Sequence, residues 1–298
     1  MQQTVEATEA LAHRLESTGD YRILRRLVPR PPTGAPLACG SKTGIIVDFE
    51  TTGLDTERDE ILEVAMVKFS YSRDGRVLGV IGSFQAFQQP STSVSAEITK
   101  LTGITDAMVE GHAIDADAIE AFVAEANIVT AHSAKFDRKF AERYWNFFQH
   151  KHWACSATEI AWKEYGFGGA KLEYLLAKSG LFHDAHRALD DCQATLEILA
   201  RALPGTSVTA LSILLECARR KSFRIWATGA PFALKDALKR RGYRWNDGTD
   251  GRPRSWYIDV AEDTLEIEQK FLATEIYTRE IELDCREVTA LDRFSNRV

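Results

Sequence analysis

The chain has 298 residues, 45% hydrophobic and 27% charged, a globular balance with room for one large domain or two smaller ones. Its net charge of −6 excludes a generally basic nucleic-acid binder, so any such contact needs a local basic patch or bridging metal ions. No run approaches the roughly 18 apolar residues of a membrane span, residues 1–10 lack an apolar signal core, and Cys39, Cys155, Cys192, Cys217 and Cys285 form no CxxC, so a cytoplasmic protein without a disulfide framework or zinc site is expected.

Residues 1–42 read as a helical extension and a linker. Leu11, Leu15, Ile23, Leu24 and Leu27 mark two short amphipathic helices interrupted at Gly19. The Pro-rich stretch 29–36 cannot sustain a helix or a central strand. Residues 44–50 form a short buried strand, and 60–71 and 76–87 two more, joined by a turn at 72–75. Helical patterns at 95–101 and 115–126 precede a buried strand at 127–132 and an amphipathic helix at 135–148. Further helices fit 156–164, 170–178 and 188–203. Consecutive strands followed by mixed strand and helix imply an α/β domain with a mixed sheet over 43–204. A second, smaller α/β unit follows over 207–298. It has helices at 207–219, 231–241 and 261–277, strands at 224–228 and 254–260, and a weakly alternating edge strand at 281–288.

Three short motifs carry chemistry. In Val47-Asp-Phe-Glu-Thr-Thr-Gly-Leu54 two carboxylates, Asp48 and Glu50, lie two residues apart on a strand and therefore share a face. They stand at the strand's C-terminal end, where ligands bind in α/β folds, and hard oxygen donors favour Mg²⁺ or Mn²⁺. By itself the pair reads more readily as two surface acids flanking a buried Phe. In Ala131-His-Ser-Ala-Lys-Phe-Asp137, Asp137 falls near a helix start, where an acid also complements the helix dipole. In His186-Arg-Ala-Leu-Asp-Asp191, positions five apart on one helix differ by roughly 140°. His186 and Asp191 can meet only if His186 lies on the loop before the helix. Asp190 is an open rival to Asp191.

The order DxE, then [HN]-x-A-x-F-D, then H-x-A-x-x-D resembles the DEDDh (DnaQ-like) 3′→5′ exonuclease superfamily over about residues 43–204. Residues 95–105, Ser-Ala-Glu-Ile-Thr-Lys-Leu-Thr-Gly-Ile-Thr, look like the DNA polymerase III epsilon-subunit branch. The resemblance implies a ribonuclease H-like, mixed five-stranded sheet flanked by helices. It implies two divalent ions: Asp48 bridges them, Glu50 and Asp191 complete one site, and Asp137 acts largely through water on the other. It selects Asp191 over Asp190 and makes His186 the general base for the attacking water. Thr51, Thr52, Leu54, Ser133 and Phe136 are implied to meet the substrate, although Leu54 and Phe136 also fit core positions. The family often has Asn where this chain has Ser133, which shortens that contact without removing a ligand. The expected activity is removal of mononucleotides from a single-stranded 3′ end, of DNA in repair or proofreading or else of RNA. A non-catalytic nucleic-acid or polymerase-binding module is the remaining alternative. A polymerase or repair protein is the implied partner.

Residues 219–260 contain 11 Lys+Arg against four Asp, with Trp226, Tyr243, Trp245, Trp256 and Tyr257 interleaved. Basic side chains among aromatics fit single-stranded nucleic acid through phosphate neutralisation and stacking. Lys239, Arg240, Arg241, Arg244, Trp245 and Trp256 are the candidate contacts. The competing reading is a small domain whose tryptophans form its own core. The stretch 233–245 with Ser255-Trp-Tyr257 is similar to a module appended to DNA-processing proteins, annealing helicases among them.

Overall fold

The computed structural model describes residues 2–33 and 40–298. Residues 34–36 of the Pro-rich stretch, and Cys39, lie outside them. One helix, α1 (Gln2–Glu16), replaces the expected pair. Gly19, at φ +81°, turns the chain into a two-residue strand, β1 (Arg25–Arg26).

Three long antiparallel strands follow, β2 (Lys42–Thr51), β3 (Ile61–Tyr71) and β4 (Val77–Phe87). Next come α2 (Ala96–Thr102), α3 (Asp106–Val109) and α4 (Ala116–Val123). Ser95 caps α2 through its side chain, and Asp115 caps α4. Strand β5 (Ile128–Ala131) runs parallel to β2, helix α5 (Ala134–Tyr144) crosses back, and β6 (Trp153–Cys155) runs parallel to β5. The sheet order β4-β3-β2-β5-β6 is the expected mixed five-stranded, ribonuclease H-like sheet. Three-residue β6 is too short to show a period in the sequence. The α-helix expected at 156–164 is replaced by turns and a short 3-10 helix, Trp162–Tyr165. The stretch is held by Glu159 accepting from the Cys155 N–H at 2.7 Å and by the buried Trp162 indole donating to the Ser156 carbonyl at 2.8 Å.

Helix α6 (Leu172–Lys178), strand β7 (Leu181–Phe182) and helix α7 (Ala188–Ala200) complete the matched motifs. The two faces of β2 bury different cores. Ile46 meets Ala188, Cys192 and Leu196 of α7, while Ile45, Val47 and Phe49 meet Phe140 and Ala141 of α5. Strand β3 is buried on both faces except at Lys68, which explains its largely apolar run.

Helix α8 (Ala210–Arg219) falls, by sequence pattern, at the start of the second unit. In the fold its Ala210, Leu211, Leu214 and Leu215 pack into the first core, with Ile46 and Leu199. The small unit proper has β8 (Ser222–Ala227), α9 (Lys235–Arg240), β9 (Arg244–Trp245), β10 (Trp256–Ala261), α10 (Leu265–Phe271) and β11 (Asp284–Val288). Its antiparallel sheet, ordered β11-β8-β10-β9, is capped on one face by Leu238 of α9 and Leu272 just beyond α10. The tail then returns to the larger domain. Fully buried Arg138 of α5 donates to the Ala290 carbonyl at 3.1 Å and the Arg293 carbonyl at 2.7 Å. Arg293 in turn pairs with Glu159 at 2.7 Å.

Candidate active site

Residues of even number on β2 face α7, because Ile46 does and strand side chains alternate. Asp48 and Glu50 therefore point at the helix that carries Asp191. Oxygen atoms of Asp48, Glu50 and Asp191 lie within 4.8 Å of one another. Asp190, one residue away and 100° around the helix, is not in this cluster. Asp137, in the first turn of α5, is 2% exposed, and its Oδ2 is buried without a hydrogen-bond partner. It sits close enough to raise the proton affinity of Asp48.

Several like charges in one buried place resist ionisation. Burial, then the charges of Asp137, Asp191 and Glu50, push the Asp48 carboxyl well above the usual range. Burial, then Asp191 and Glu63, push Glu50 up to about 8. Burial raises Asp137 too, against backbone N–H groups that pull it down. Crowded hard oxygens whose repulsion a bound cation relieves, and an unpartnered buried carboxylate oxygen, fit divalent metal.

The loop before α7 holds two histidines, and they differ in what they do. His183 Nε2 stands 2.6 Å from Asp191 Oδ1, with its side chain almost buried. His186, the residue singled out by the motif, is exposed, and its backbone N–H donates to Asp191 Oδ2 at 2.9 Å. Its φ of +62° is unusual for a residue with a Cβ. Both oxygens of Asp191 are thus engaged by this loop. Next in the chain, Arg187 pairs at 3.5 Å with Glu63, a fully buried carboxylate directly opposite Glu50 on β3. Sequence reasoning passed over His183, Arg187 and Glu63. Glu63 did leave a signal, as the lone acid in the apolar run Ile61-Leu-Glu-Val-Ala-Met-Val67.

The turn after Glu50 begins at a break in register with β3. Thr51 is buried and donates to the Gly53 carbonyl at 2.6 Å. The Thr52 hydroxyl donates to Asp59 at 3.1 Å and accepts from the Glu60 N–H at 2.9 Å. Both hydroxyls therefore shape the turn. It projects Leu54, which is 85% exposed beside the acids and so is not a core residue. Phe136 is half-buried with its ring 4.9 Å from Phe140, so it packs on the core. Ser133 is exposed just before α5 without capping it through its side chain. Neighbouring His132 is fixed by Ser156 Oγ at 2.8 Å and the Ala170 carbonyl at 2.7 Å, and burial lowers its proton affinity.

In the small unit, Lys239 and Arg240 are exposed at the end of α9. Trp245 is 49% exposed and meets the half-buried Trp256 edge-on at 5.5 Å, with the Lys239 ammonium 5.9 Å from that second ring. Arg241 is held by Glu268 at 2.9 Å and lies over Phe271, and Arg244 is held by Asp259 at 2.8 Å and lies over Tyr257. Trp226 is buried. The aromatic residues thus divide between core and surface.

A family model described as an exonuclease, of RNase T type, matches residues 45–199. The chain is 27% identical over 200 residues to the PolC-type DNA polymerase III of Thermotoga maritima, across 65% of this chain and 14% of that polymerase. It therefore spans about a seventh of that relative's length. Over 168 residues it is 28% identical to the DNA polymerase III epsilon subunit of Aquifex aeolicus, across 54% of this chain and 80% of the subunit. Among solved structures, exonuclease X in complex with 5′-overhanging duplex DNA aligns with a TM-score of 0.41 at 22% identity, covering 57% of this chain and 99% of that one.

Proposed function

The chain belongs to the DEDDh, DnaQ-like exonuclease superfamily, and from that premise we propose that it is a metal-dependent 3′→5′ exonuclease acting on single-stranded DNA and releasing nucleoside monophosphates. The observation that carries this reading is the convergence of Asp48, Glu50 and Asp191 within 4.8 Å, with Asp137 buried beside them. DNA is favoured over RNA because the relatives are DNA polymerase III components.

Asp48, Glu50, Asp137 and Asp191 would hold two Mg²⁺ or Mn²⁺ ions, which when bound supply positive charge to the attacking and leaving oxygens of the phosphodiester. The chain's own residues do the rest. Exposed Leu54 offers an apolar surface to the terminal base, and the turn shaped by Thr51 and Thr52 offers backbone groups to the 3′-OH. Ser133, exposed just before α5, offers its hydroxyl to the substrate, and Phe136 supports that end of the helix from the core. His186 takes the proton of the attacking water from an exposed position on the loop before α7, where its ring can approach the substrate. Lys239, Arg240 and Trp245 give the more distant strand a basic and stacking surface, with Arg241, Arg244 and Trp256 supporting it from the small unit. The larger domain and the small unit then divide the work into cleavage and strand holding. A polymerase or repair protein is the partner that presents the 3′ end.

The test is a side-by-side digestion of matched single-stranded DNA, duplex DNA and RNA oligomers, each with free and blocked 3′ ends, in Mg²⁺ or Mn²⁺. Mononucleotide release from unblocked single-stranded DNA is expected. Cutting of a closed circular strand would make the protein an endonuclease, and faster digestion of RNA would overturn the DNA assignment.

A further inference from the structure

We propose that residues 22–30, outside the family-matched region 45–199, act as a positioning strap for the loop that carries His186, with Arg26 as its contact to that loop. This rests on the reading of His186 as general base.

Strand β7 leads directly into the loop, and its sheet partner among the described residues is β1 rather than the central sheet. Arg25 pairs with Leu181 and Arg26 with Phe182. The Arg25 N–H donates to the Gly180 carbonyl at 2.9 Å, and the Leu27 N–H to the Phe182 carbonyl at 2.7 Å. Arg26 then reaches into the loop, with Nη1 2.7 Å from Asp184 Oδ2 and its guanidinium 4.9 Å over the Phe182 ring. The same stretch grips both flanks. Arg22 donates to the Ala177 carbonyl at the end of α6 at 2.6 Å, and Arg30 to Glu197 of α7 at 2.9 Å. Arg25 ties the strap back to α1 through Glu9 and Glu16.

Such a strap has a purpose here. His186 sits at φ +62°, a conformation that residues other than glycine keep only when their surroundings fix it. At its far end the loop is fixed by Arg187 on Glu63. At its near end, Arg26 and β1 supply the fixing. A general base acts only from one position, so a looser loop lowers turnover while leaving the nucleotide-binding turn at 51–54 untouched.

The test uses the full chain. In Arg26→Glu two carboxylates face each other across the Asp184 contact. We expect kcat to fall about two- to fivefold, fivefold being the upper end for an exposed ion pair, at unchanged KM. Hydrogen exchange of residues 181–187 should quicken. Arg26→Lys should keep most of the activity, and Arg26→Glu combined with Asp184→Arg should restore both kcat and exchange. An unchanged kcat in Arg26→Glu, with His186→Ala inactive, overturns the proposal. So does a double variant as slow as the single one. If instead His186→Ala is fully active, the general-base reading fails. The exchange rates then decide alone whether residues 22–30 hold the loop.

Discussion

Replacing Glu50 with Gln keeps the shape of the side chain and removes one of the crowded charges. Glu50 is 8% exposed, and its carboxyl is pushed from an ordinary 4.5 up to about 8. A carboxyl with a raised folded-state pKa binds its proton more tightly folded than unfolded. Its burial is therefore neutral to stability below about pH 4.5 and costs progressively more as pH rises to about 8. At 1.36 kcal/mol per unit, and with the repulsion shared among neighbours, the cost at pH 8 is on the order of 2–4 kcal/mol. Glu50→Gln should then raise the melting temperature of EDTA-treated protein at pH 8 by roughly 5–15 °C. At pH 5 the shift should nearly vanish, since Glu50 is already protonated. Mg²⁺ should stabilise the wild type at pH 8 more than the variant, which should lose nuclease activity. Thermal melts at both pH values, with and without metal, read all three effects. Equal melting temperatures at pH 8, or a shift at pH 5 as large as at pH 8, would refute the crowded-carboxylate account.

Two further outcomes follow from the same geometry. His186→Ala should slow digestion of a 3′-labelled oligonucleotide about 10²–10⁴-fold, while Mn²⁺ affinity by calorimetry stays nearly unchanged because the backbone N–H on Asp191 remains. Lys239→Glu with Arg240→Glu should raise KM on long oligomers and spare kcat on very short ones. It should also flatten the salt dependence of binding by about 1.4, from roughly 0.7 for each of two single-strand phosphates no longer neutralised. Arg241 is left intact in that variant because Glu268 and Phe271 hold it in the fold.

Much of this organisation is written in local pattern. The parity of Asp48 and Glu50 on one strand, with Ile46 on the same face, fixes which helix they meet, and the spacing in α7 turns Asp191 rather than Asp190 towards them. Long strands such as β3 show themselves because burial on both faces leaves few polar residues to interrupt the run. What stayed hidden is what depends on distant partners. Strand β6 has three residues, and its burial comes from β5 and from the tail that follows β11. Arg138 has the sequence setting of an ordinary surface base beside Asp137. It is fully buried because carbonyls more than 150 residues away accept from it.

The same limit explains the histidines. A motif records spacing along the chain, and spacing selects His186, five residues before Asp191. The loop's conformation, however, is set by three separate places: Arg26 in the extension, Glu63 on β3, and Asp191 on α7. With those contacts made, His183 reaches Asp191 Oδ1 and His186 offers its backbone N–H to Oδ2. Two histidines of the loop thus converge on one carboxylate, a convergence that no motif could state because His183, Arg26 and Glu63 lie outside the motif.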